Sequence, residues 1–230
     1  MIINHTYRFI YLKTKKTAGT SVEIALSRYC GPGDILSRIG RKDEPIRTGL
    51  GYQGPANYLI AKDRYSRSDW VRHYIGRQEI MYYNHMPAVE VRARIGDEIW
   101  NSYYKFCFER NPWDRAISAY HWENRGRRRL PAFGRFLKKM HRDRKISNFE
   151  TYAIVGKIAV DKVLLYENLA AELGALVTRL GLPGPLELPN AKRQYRKDRR
   201  PYQEVYSPWE RDFIAQVCAR EIKEFGYRFE

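Results

Sequence analysis

The chain has 230 residues, of which 43% are hydrophobic and 14% aromatic, so it can form a folded domain with a substantial core and is not a disordered chain. Its 42 Lys and Arg residues outnumber its 26 Asp and Glu residues, which gives a net charge of +16. This excess favours a polyanionic partner over a surface that is basic only for solubility. Nucleic acid, an anionic membrane surface, a phosphorylated cofactor and an acidic polysaccharide all fit.

The three cysteines are odd in number and lie far apart, so they predict neither a disulfide framework nor a CxxC metal site. No stretch approaches the roughly 18 apolar residues of a membrane-spanning helix. A strand begins by Tyr7, which leaves no room for a signal peptide. We therefore expect a cytoplasmic protein without a membrane anchor.

The first informative unit is a strand, a short loop and a helix. Residues 7–12 are apolar and aromatic, and residues 22–29 repeat apolar side chains at helical spacing. The loop between them reads Lys16-Thr17-Ala18-Gly19-Thr20-Ser21. Backbone N–H groups at such a helix start bind anions, and the lysine and hydroxyls would assist. The lysine precedes the glycine, so the loop is not a nucleoside triphosphatase P-loop, and taken alone it could be an ordinary turn.

Residues 31–84 show no sustained periodicity and are rich in Gly, Pro and basic residues. We expect loops and short elements there, forming an irregular insertion that contacts the substrate. A short helix is predicted through Val89, Val91 and Ile95.

A second strand–turn–helix unit follows. Residues 103–109 predict a strand, and Asn111 followed by Pro112 predicts a capped helix start. Arg110 lies at the end of the strand and Ser118 about two helical turns beyond it. The carboxyl ends of parallel strands meet at one edge of a sheet, so both turns could bind one ligand with two phosphate-type groups. Alternatively, Arg110 is a surface ion-pair partner and Ser118 a helix-surface residue.

The remaining pattern continues to alternate strands and helices. Ser147 and Glu150 predict a capping box, residues 160–166 a strand, residues 169–180 a leucine-rich helix, and Ser207 the cap of a last helix that ends at Gly226. Taken together, these elements predict a single domain, 1–230, of the α/β class. Its fold would have three layers and be P-loop-like, with a central parallel sheet flanked by helices. The basic run 125–145 is either an exposed helix face or a site for an acidic acceptor.

The loop 16–21 closely resembles the 5′-phosphosulfate loop of sulfotransferases that use 3′-phosphoadenosine 5′-phosphosulfate (PAPS). Residues 110–120 resemble the R-x-P-x-x-R-x-x-S-x-Y element of that family, which binds the 3′-phosphate. Residues 166–169, the leucine-rich helix and residues 225–229 are similar to the carbohydrate (Golgi-type) branch, which includes the heparan and chondroitin sulfotransferases. The resemblance spans almost the whole chain, except for residues 31–80 and the basic run.

The resemblance implies a PAPS-dependent sulfotransferase that leaves adenosine 3′,5′-bisphosphate (PAP) and requires no metal. Lys16 would stabilise charge on the bridging oxygen as the sulfuryl group leaves. The implied cofactor-binding residues are Lys16, Thr17, Ala18, Gly19, Thr20, Ser21, Arg110 and Ser118, together with Lys192, Arg193 and Arg196 on a loop that closes over the cofactor.

The acceptor hydroxyl needs a base, and relatives place a catalytic histidine on a segment comparable to that of His85. An imidazole near its usual pKa can accept the proton at neutral pH. Otherwise His85 is a histidine bonded near the turn at Pro87; His121 and Glu23 are the alternative bases. The expected acceptor is a hydroxyl of an anionic glycan or glycolipid.

Two features depart from the family pattern. Lys15 stands where relatives usually have proline, and it could contact either the cofactor or solvent. The Golgi-type enzymes carry an N-terminal anchor that this chain lacks, which would fit a free-standing, bacterial-type relative. Two other functions stay open: a P-loop-like kinase that uses ATP, and a basic nucleic-acid-binding module, for which no recognised motif is present.

Overall fold

The computed structural model describes residues 1–189 and 200–230. Its strands are β1 Ile2–Asn4, β2 Phe9–Leu12, β3 Ile35–Leu36, β4 Tyr104–Glu109, β5 Ala153–Ile154, β6 Lys157–Ile158 and β7 Lys162–Leu165. Its α-helices are α1 Gly19–Ser27, α2 Glu44–Gly49, α3 Arg67–Tyr74, α4 Ala88–Ile95, α5 Asp97–Ser102, α6 Pro112–Glu123, α7 Phe133–Arg142, α8 Phe149–Tyr152, α9 Leu169–Leu180, α10 Pro208–Val217 and α11 Ala219–Phe225.

The central sheet has five strands in the order β3-β1-β2-β4-β7. β2, β4 and β7 are parallel, with Tyr11 opposite Phe106 and Cys107 opposite Val163. These three strands form the predicted central parallel sheet, and β1, which runs antiparallel to both β2 and β3, adds a mixed edge that was not predicted. The reason is the short connection of residues 5–8 between β1 and β2, which permits a hairpin but is too short for a crossover helix.

Helices cover both faces of this sheet, as the three-layer fold requires. Side chains alternate along β2: Phe9 and Tyr11 pack in a core that includes residues of α1 and α9. Ile10 and Leu12 pack in a second core that includes residues of α4, α5 and α8. Because successive strand residues point to opposite faces, this fully buried strand is apolar throughout. The predicted α/β architecture is confirmed.

Local signals placed several helix ends correctly. Asn111 caps α6 by accepting a hydrogen bond from the Trp113 N–H at 3.1 Å, and Pro112 is its first residue. Ser207 and Glu210 form the predicted capping box of α10. α9 ends at Gly181, whose φ of 62° suits a residue without a Cβ.

Two other predictions about helix ends are wrong. The Ser147 hydroxyl donates to Glu221 at 2.5 Å and accepts from the Phe149 N–H at 3.0 Å, while Glu150 is exposed. The predicted capping box at Ser147 therefore does not form. The last helix is divided at Cys218 into α10 and α11, both of which help to bury the thiol.

The predicted irregular insertion, 31–84, contains short elements, β3, α2, α3 and a 3₁₀ turn at Lys62–Arg64. α3 is opened by a capping box of Ser66 and Asp69 that the sequence analysis overlooked. Among the described helices, none combines the length and apolar character needed to cross a bilayer.

Candidate active site

The loop after β2 has the backbone conformation of an anion cradle. Lys16 and Ala18 both adopt left-handed conformations, with φ of 64° and 58°. Alternation of right- and left-handed residues turns successive N–H groups toward one point. α1 begins at the next residue, Gly19, and no side chain caps it. The first-turn N–H groups of a helix have no intrahelical acceptor, and the positive end of the helix dipole lies beside them.

The loop is tied to β4 by hydroxyl groups. The Thr17 hydroxyl lies 2.9 Å from that of Thr14, which in turn donates to the Phe108 carbonyl. Thr17 is fully buried and its hydroxyl contacts Thr14, so its side chain supports the loop. Thr20 is buried and Ser21 half-buried in the first turn of α1.

Gly19 allows the loop and Lys13 to pack closely. A Cβ at this position would lie 2.9 Å from Lys13 Cγ and 3.3 Å from the Thr14 carbonyl oxygen. The Lys13 side chain is buried and held by an ion pair, so it has little room to move. A larger residue at 19 would therefore displace the loop or the lysine.

The second turn contacts the first directly. Arg110 Nη1 donates to the Lys16 carbonyl at 3.1 Å. The same guanidinium donates to Asp114 at 2.6 and 3.0 Å and stacks over the Tyr166 ring at 4.2 Å. The ion pair proposed in the alternative interpretation of Arg110 is thus present, yet it holds the guanidinium against the loop. Ser118 lies half-buried further along α6.

The Lys16 side chain extends toward α6, where its ammonium lies 4.8 Å from the centre of the Trp122 ring. Arg125 stacks on the same ring at 3.8 Å. An aromatic face attracts a cation without neutralising its charge. This contact therefore holds the Lys16 side chain against α6.

His85 is held at the end of β2. Its φ of 66° is left-handed, and its Nδ1 donates to the Lys13 carbonyl at 2.9 Å. A carbonyl can only accept, so Nδ1 carries the proton and Nε2 is left with a lone pair. Lys13 Nζ also donates to Asn84 at 3.1 Å, which fixes the residue before His85.

The pKa of His85 is lowered to about 3, first by burial and then by the charge of Lys13. This differs from the near-normal pKa expected from the sequence. The imidazole is therefore neutral in the free protein at all ordinary pH values, which keeps its Nε2 available as a proton acceptor.

Neither of the alternative bases, Glu23 and His121, is as well placed as His85. Glu23 is fully buried and paired with Lys13 and the Met1 ammonium, both at 2.8 Å. Although burial raises the pKa of Glu23, these two cations bring it below its usual value. The His121 ring meets the Tyr120 ring edge to face, with 5.4 Å between ring centres.

A cavity of about 220 Å³ opens beside these residues. The ionisable residues that line it are Lys15, Lys16, His85, Arg115, Glu123 and Lys145. The remaining lining residues form an apolar wall and come from α6, α7 and the segment after α7: Ala116, Ala119, Trp122, Phe136, Leu137, Met140 and Ile146. A larger groove of about 640 Å³ lies along α9, but among the described residues only apolar ones line it, and these offer no charge to hold a phosphate.

Lys15 contacts this cavity, and its backbone explains why it is not a proline. Asn148 accepts from the Lys15 N–H and donates to the Lys15 carbonyl, both at 3.0 Å. A proline could not supply that N–H. The Asn148 amide also donates to Glu109 at 3.2 Å, so it ties the loop to the end of β4. Burial, followed by the charges of Arg115 and Lys145, lowers the pKa of Lys15.

Sequence reasoning missed a buried polar network behind the cavity. Glu109 accepts from the Arg110 N–H and the Tyr152 hydroxyl, both at 3.0 Å. Arg115 lies 3.6 Å from both Glu109 and Glu221. Arg115 belongs to the 110–120 element on which the family resemblance rests, so its importance could have been recognised from the sequence. The roles of Glu109 and Asn148 depend on contacts that only the folded structure shows.

Lys192, Arg193 and Arg196, expected on a loop over the cofactor, lie outside the described residues. Their assignment stays a prediction.

Comparison with known proteins decides the family. A family model described as "Sulfotransferase family" matches residues 1–228. The chain belongs to the sulfotransferase family. A protein from Archaeoglobus fulgidus described as uncharacterised is similar to this sulfotransferase, with 32% identity over 106 residues, which is 45% of this chain and 88% of the relative. No solved structure matches the chain significantly. Membership makes the protein an enzyme that transfers a sulfuryl group, with a hydroxyl acceptor as the family suggests.

Proposed function

We propose that this sulfotransferase moves a sulfuryl group from PAPS to a hydroxyl of a carbohydrate or glycolipid, with His85 as the base. The observation that carries the proposal is the contact between Arg110 and Lys16, since it joins the two turns that we propose to bind the phosphate groups of the donor. A donor with phosphate groups at both its 5′ and 3′ positions fits two such turns. AMP, with a single phosphate, would use only one of them.

The residues of the two turns suit such a donor. The left-handed residues Lys16 and Ala18 and the uncapped start of α1 offer backbone N–H groups to the 5′ side. Arg110 offers a planar guanidinium, and Ser118 a hydroxyl, to the 3′ side. PAPS, when bound, supplies an activated sulfuryl group and a phosphate leaving group. Thr20 and Ser21 would add hydroxyls to the N–H groups of the loop.

Sulfuryl transfer resembles phosphoryl transfer, in which positioning and charge stabilisation contribute most of the rate enhancement. The Lys16 ammonium would stabilise the negative charge that develops on the bridging oxygen. Its contact with Trp122 and the left-handed backbone at Lys16 hold that ammonium in place before the reaction. A preorganised charge costs little reorganisation at the moment of reaction.

His85 would accept the proton of the acceptor hydroxyl at Nε2. The bond from Nδ1 to the Lys13 carbonyl fixes the tautomer and stabilises the imidazolium that forms. The nearby charges of Lys13 and Lys15 oppose protonation in the free protein. A bound polyanion offsets these cations and so raises the His85 pKa when a base is needed.

The cavity favours an acceptor that joins an anionic group to an apolar surface. Arg115 lines it, is 3% exposed, and its Nη1 has no hydrogen-bond partner among the described residues. Lys15 and Lys145 add two cations at the same cavity, and the repulsion between them would be relieved by an anion. The apolar wall would contact a sugar-ring face or the lipid part of a glycolipid. Most of the basic run 125–145 is exposed, but Lys145 reaches this cavity.

The test is direct transfer of radioactive sulfur from labelled PAPS to a panel of anionic glycans and glycolipids, with labelled ATP in a parallel assay. We expect a labelled acceptor with PAPS and none with ATP. The variant His85→Asn should lose transfer, whereas the exposed variant Val155→Ser should retain it. Transfer of phosphate from ATP, with no transfer from PAPS, would replace this proposal with the kinase alternative.

A further inference from the structure

α3 ends in an exposed apolar surface. Val71, Tyr74 and Ile75 are 56%, 72% and 81% exposed. Tyr74 and Ile75 lie three and four residues after Val71, so both are neighbours of Val71 on the surface of a helical turn. Most large apolar side chains of the described chain are buried, and these three stand together. We call residues 71, 74 and 75 the α3 tip.

The α3 tip rests on a firmly built support. The Trp70 ring stacks on Tyr74 at 5.4 Å and meets the edge of Tyr65 at 5.1 Å. Asp69, which is buried, completes the Ser66 capping box and pairs with Arg94 of α4 at 2.6 Å. An element anchored by a capping box, an ion pair and stacked rings presents its apolar side chains at a fixed place on the surface.

The segment that carries the α3 tip is rich in exposed cations. The exposed charged residues of the segment 62–79 are Lys62, Arg64, Arg67, Arg72 and Arg77, with Asp63 and Glu79 as the acids. Asp69 is already paired with Arg94 and does not offset them. The segment therefore combines a positive rim with a protruding apolar and aromatic centre.

We propose that the α3 tip docks on an anionic lipid surface. Val71 and Ile75 would enter the boundary between headgroups and acyl chains, Tyr74 and Trp70 would lie at headgroup level, and Arg72 and Arg77 would contact lipid phosphates. Tyr and Trp prefer this interface because one end is apolar and the other polar. Short basic and amphipathic segments bind membranes by apolar burial together with attraction to anionic lipids.

The combination of exposed apolar side chains with exposed cations favours a lipid surface over a nucleic acid or a protein partner. A nucleic acid would use the arginines but would leave the aliphatic Ile75 side chain in water. An apolar protein groove would use Ile75 but would not require a rim of cations. Val155, at 95% exposure in the turn between β5 and β6, is a single exposed apolar residue and makes no comparable surface. The proposal is independent of the donor and of the acceptor.

The test is sedimentation of the full chain with vesicles of phosphatidylglycerol and phosphatidylcholine, or of phosphatidylcholine alone. We expect binding only to the anionic vesicles, weakened by salt. Two double variants should each reduce that binding by about tenfold or more: Tyr74→Ser with Ile75→Ser, which removes apolar side chains, and Arg72→Gln with Arg77→Gln, which removes cations. Circular dichroism would establish that these surface variants remain folded.

Matched controls distinguish an effect of the α3 tip on vesicle binding from a general effect of surface charge or exposed apolar residues. Val155→Ser removes an exposed apolar side chain elsewhere, and Arg211→Gln with Arg220→Gln removes two exposed cations from α10 and α11. Both should bind like the wild type. Absence of binding, or equal losses in the controls and the α3 variants, would overturn the proposal. So would gel filtration showing a dimer that the Tyr74→Ser, Ile75→Ser variant abolishes, since the α3 tip would then bind a second copy.

Discussion

Arg110 Nη1 donates a hydrogen bond to the carbonyl oxygen of Lys16 at 3.1 Å, across a sequence separation of 94 residues. The residue expected to hold the 3′-phosphate therefore supports the loop expected to hold the 5′-phosphate. Because Arg110 is also held by Asp114 and by stacking on Tyr166, the contact is rigid on both sides. The two turns form one preorganised unit.

Replacing the loop lysine should remove most of the activity without unfolding the protein. We expect Lys16→Met to lower kcat by about 100-fold or more, as for loss of one preorganised group that stabilises charge in a transition state. Lys138→Met is the matched control, since Lys138 also lies over a tryptophan ring, at 5.0 Å from that of Trp209. Steady-state kinetics would compare the two, and full activity of Lys16→Met would contradict the role given to Lys16.

Loss of the His85 imidazole should separate chemistry from donor binding. We expect His85→Asn to reduce kcat by roughly 100- to 10,000-fold, the usual contribution of a general base, with the affinity for PAP little changed. The exposed His5 provides the control variant His5→Asn, which should leave both quantities unchanged. If His85→Asn lost PAP binding and retained kcat at saturation, His85 would be a binding residue.

The lowered pKa of His85 also predicts how stability varies with pH. The unfolded chain takes up a proton near the ordinary pKa of about 6.5, whereas folded His85 does so only near pH 3. Between these values the unfolded state binds more protons, so the free energy of unfolding falls as the pH is lowered. Urea denaturation of wild type and His85→Asn from pH 7 to pH 4 would measure this, and the variant should show the shallower decline. Equal slopes would contradict the assigned shift.

The Asn148 contact predicts a structural role in the loop. Asn148→Ala would leave the Lys15 N–H and carbonyl without their partner, and buried groups left unpaired cost about 1–3 kcal/mol. We expect denaturant unfolding to show that loss, together with weaker PAP binding, because the loop is no longer fixed to Glu109. Asn124→Ala is the control: Asn124 is also buried, but within the described part of the chain its side-chain amide bonds only to the Tyr120 carbonyl of α6. PAP affinity should stay unchanged in this control; an equal loss of affinity would contradict the account.

Much of the fold could be predicted because its signals are local. The loop 16–21, the Asn111-Pro112 helix start and Gly181 each depend on neighbouring residues, and the structure places them as expected. β1 could not be recognised, since three residues carry no periodicity and their pairing with β2 depends on the fold. The Ser147 prediction failed for a related reason: Glu221, distant in sequence, takes its hydroxyl.

The candidate site shows the same difference between local signals, which the sequence displays, and long-range contacts, which it does not. Its charged and hydroxyl residues were visible as motifs, whereas the groups that position them were not. Lys13 bonds to Asn84 through its ammonium and to His85 through its carbonyl. Glu109 and Asn148 act through long-range hydrogen bonds, which residue spacing in the sequence cannot predict. Burial and long-range charge also shift the His85 pKa, so its value follows only from the structure.

The central claim is that two joined turns bind a donor with two separate anionic groups. Isothermal titration calorimetry with PAP and AMP, on wild type and Arg110→Ala, tests it most directly. Wild type should prefer PAP, and this preference should be largely lost in Arg110→Ala, whose affinity for PAP should fall by much more than its affinity for AMP. Equal affinity of the wild type for PAP and AMP, or an undiminished preference in Arg110→Ala, would contradict it.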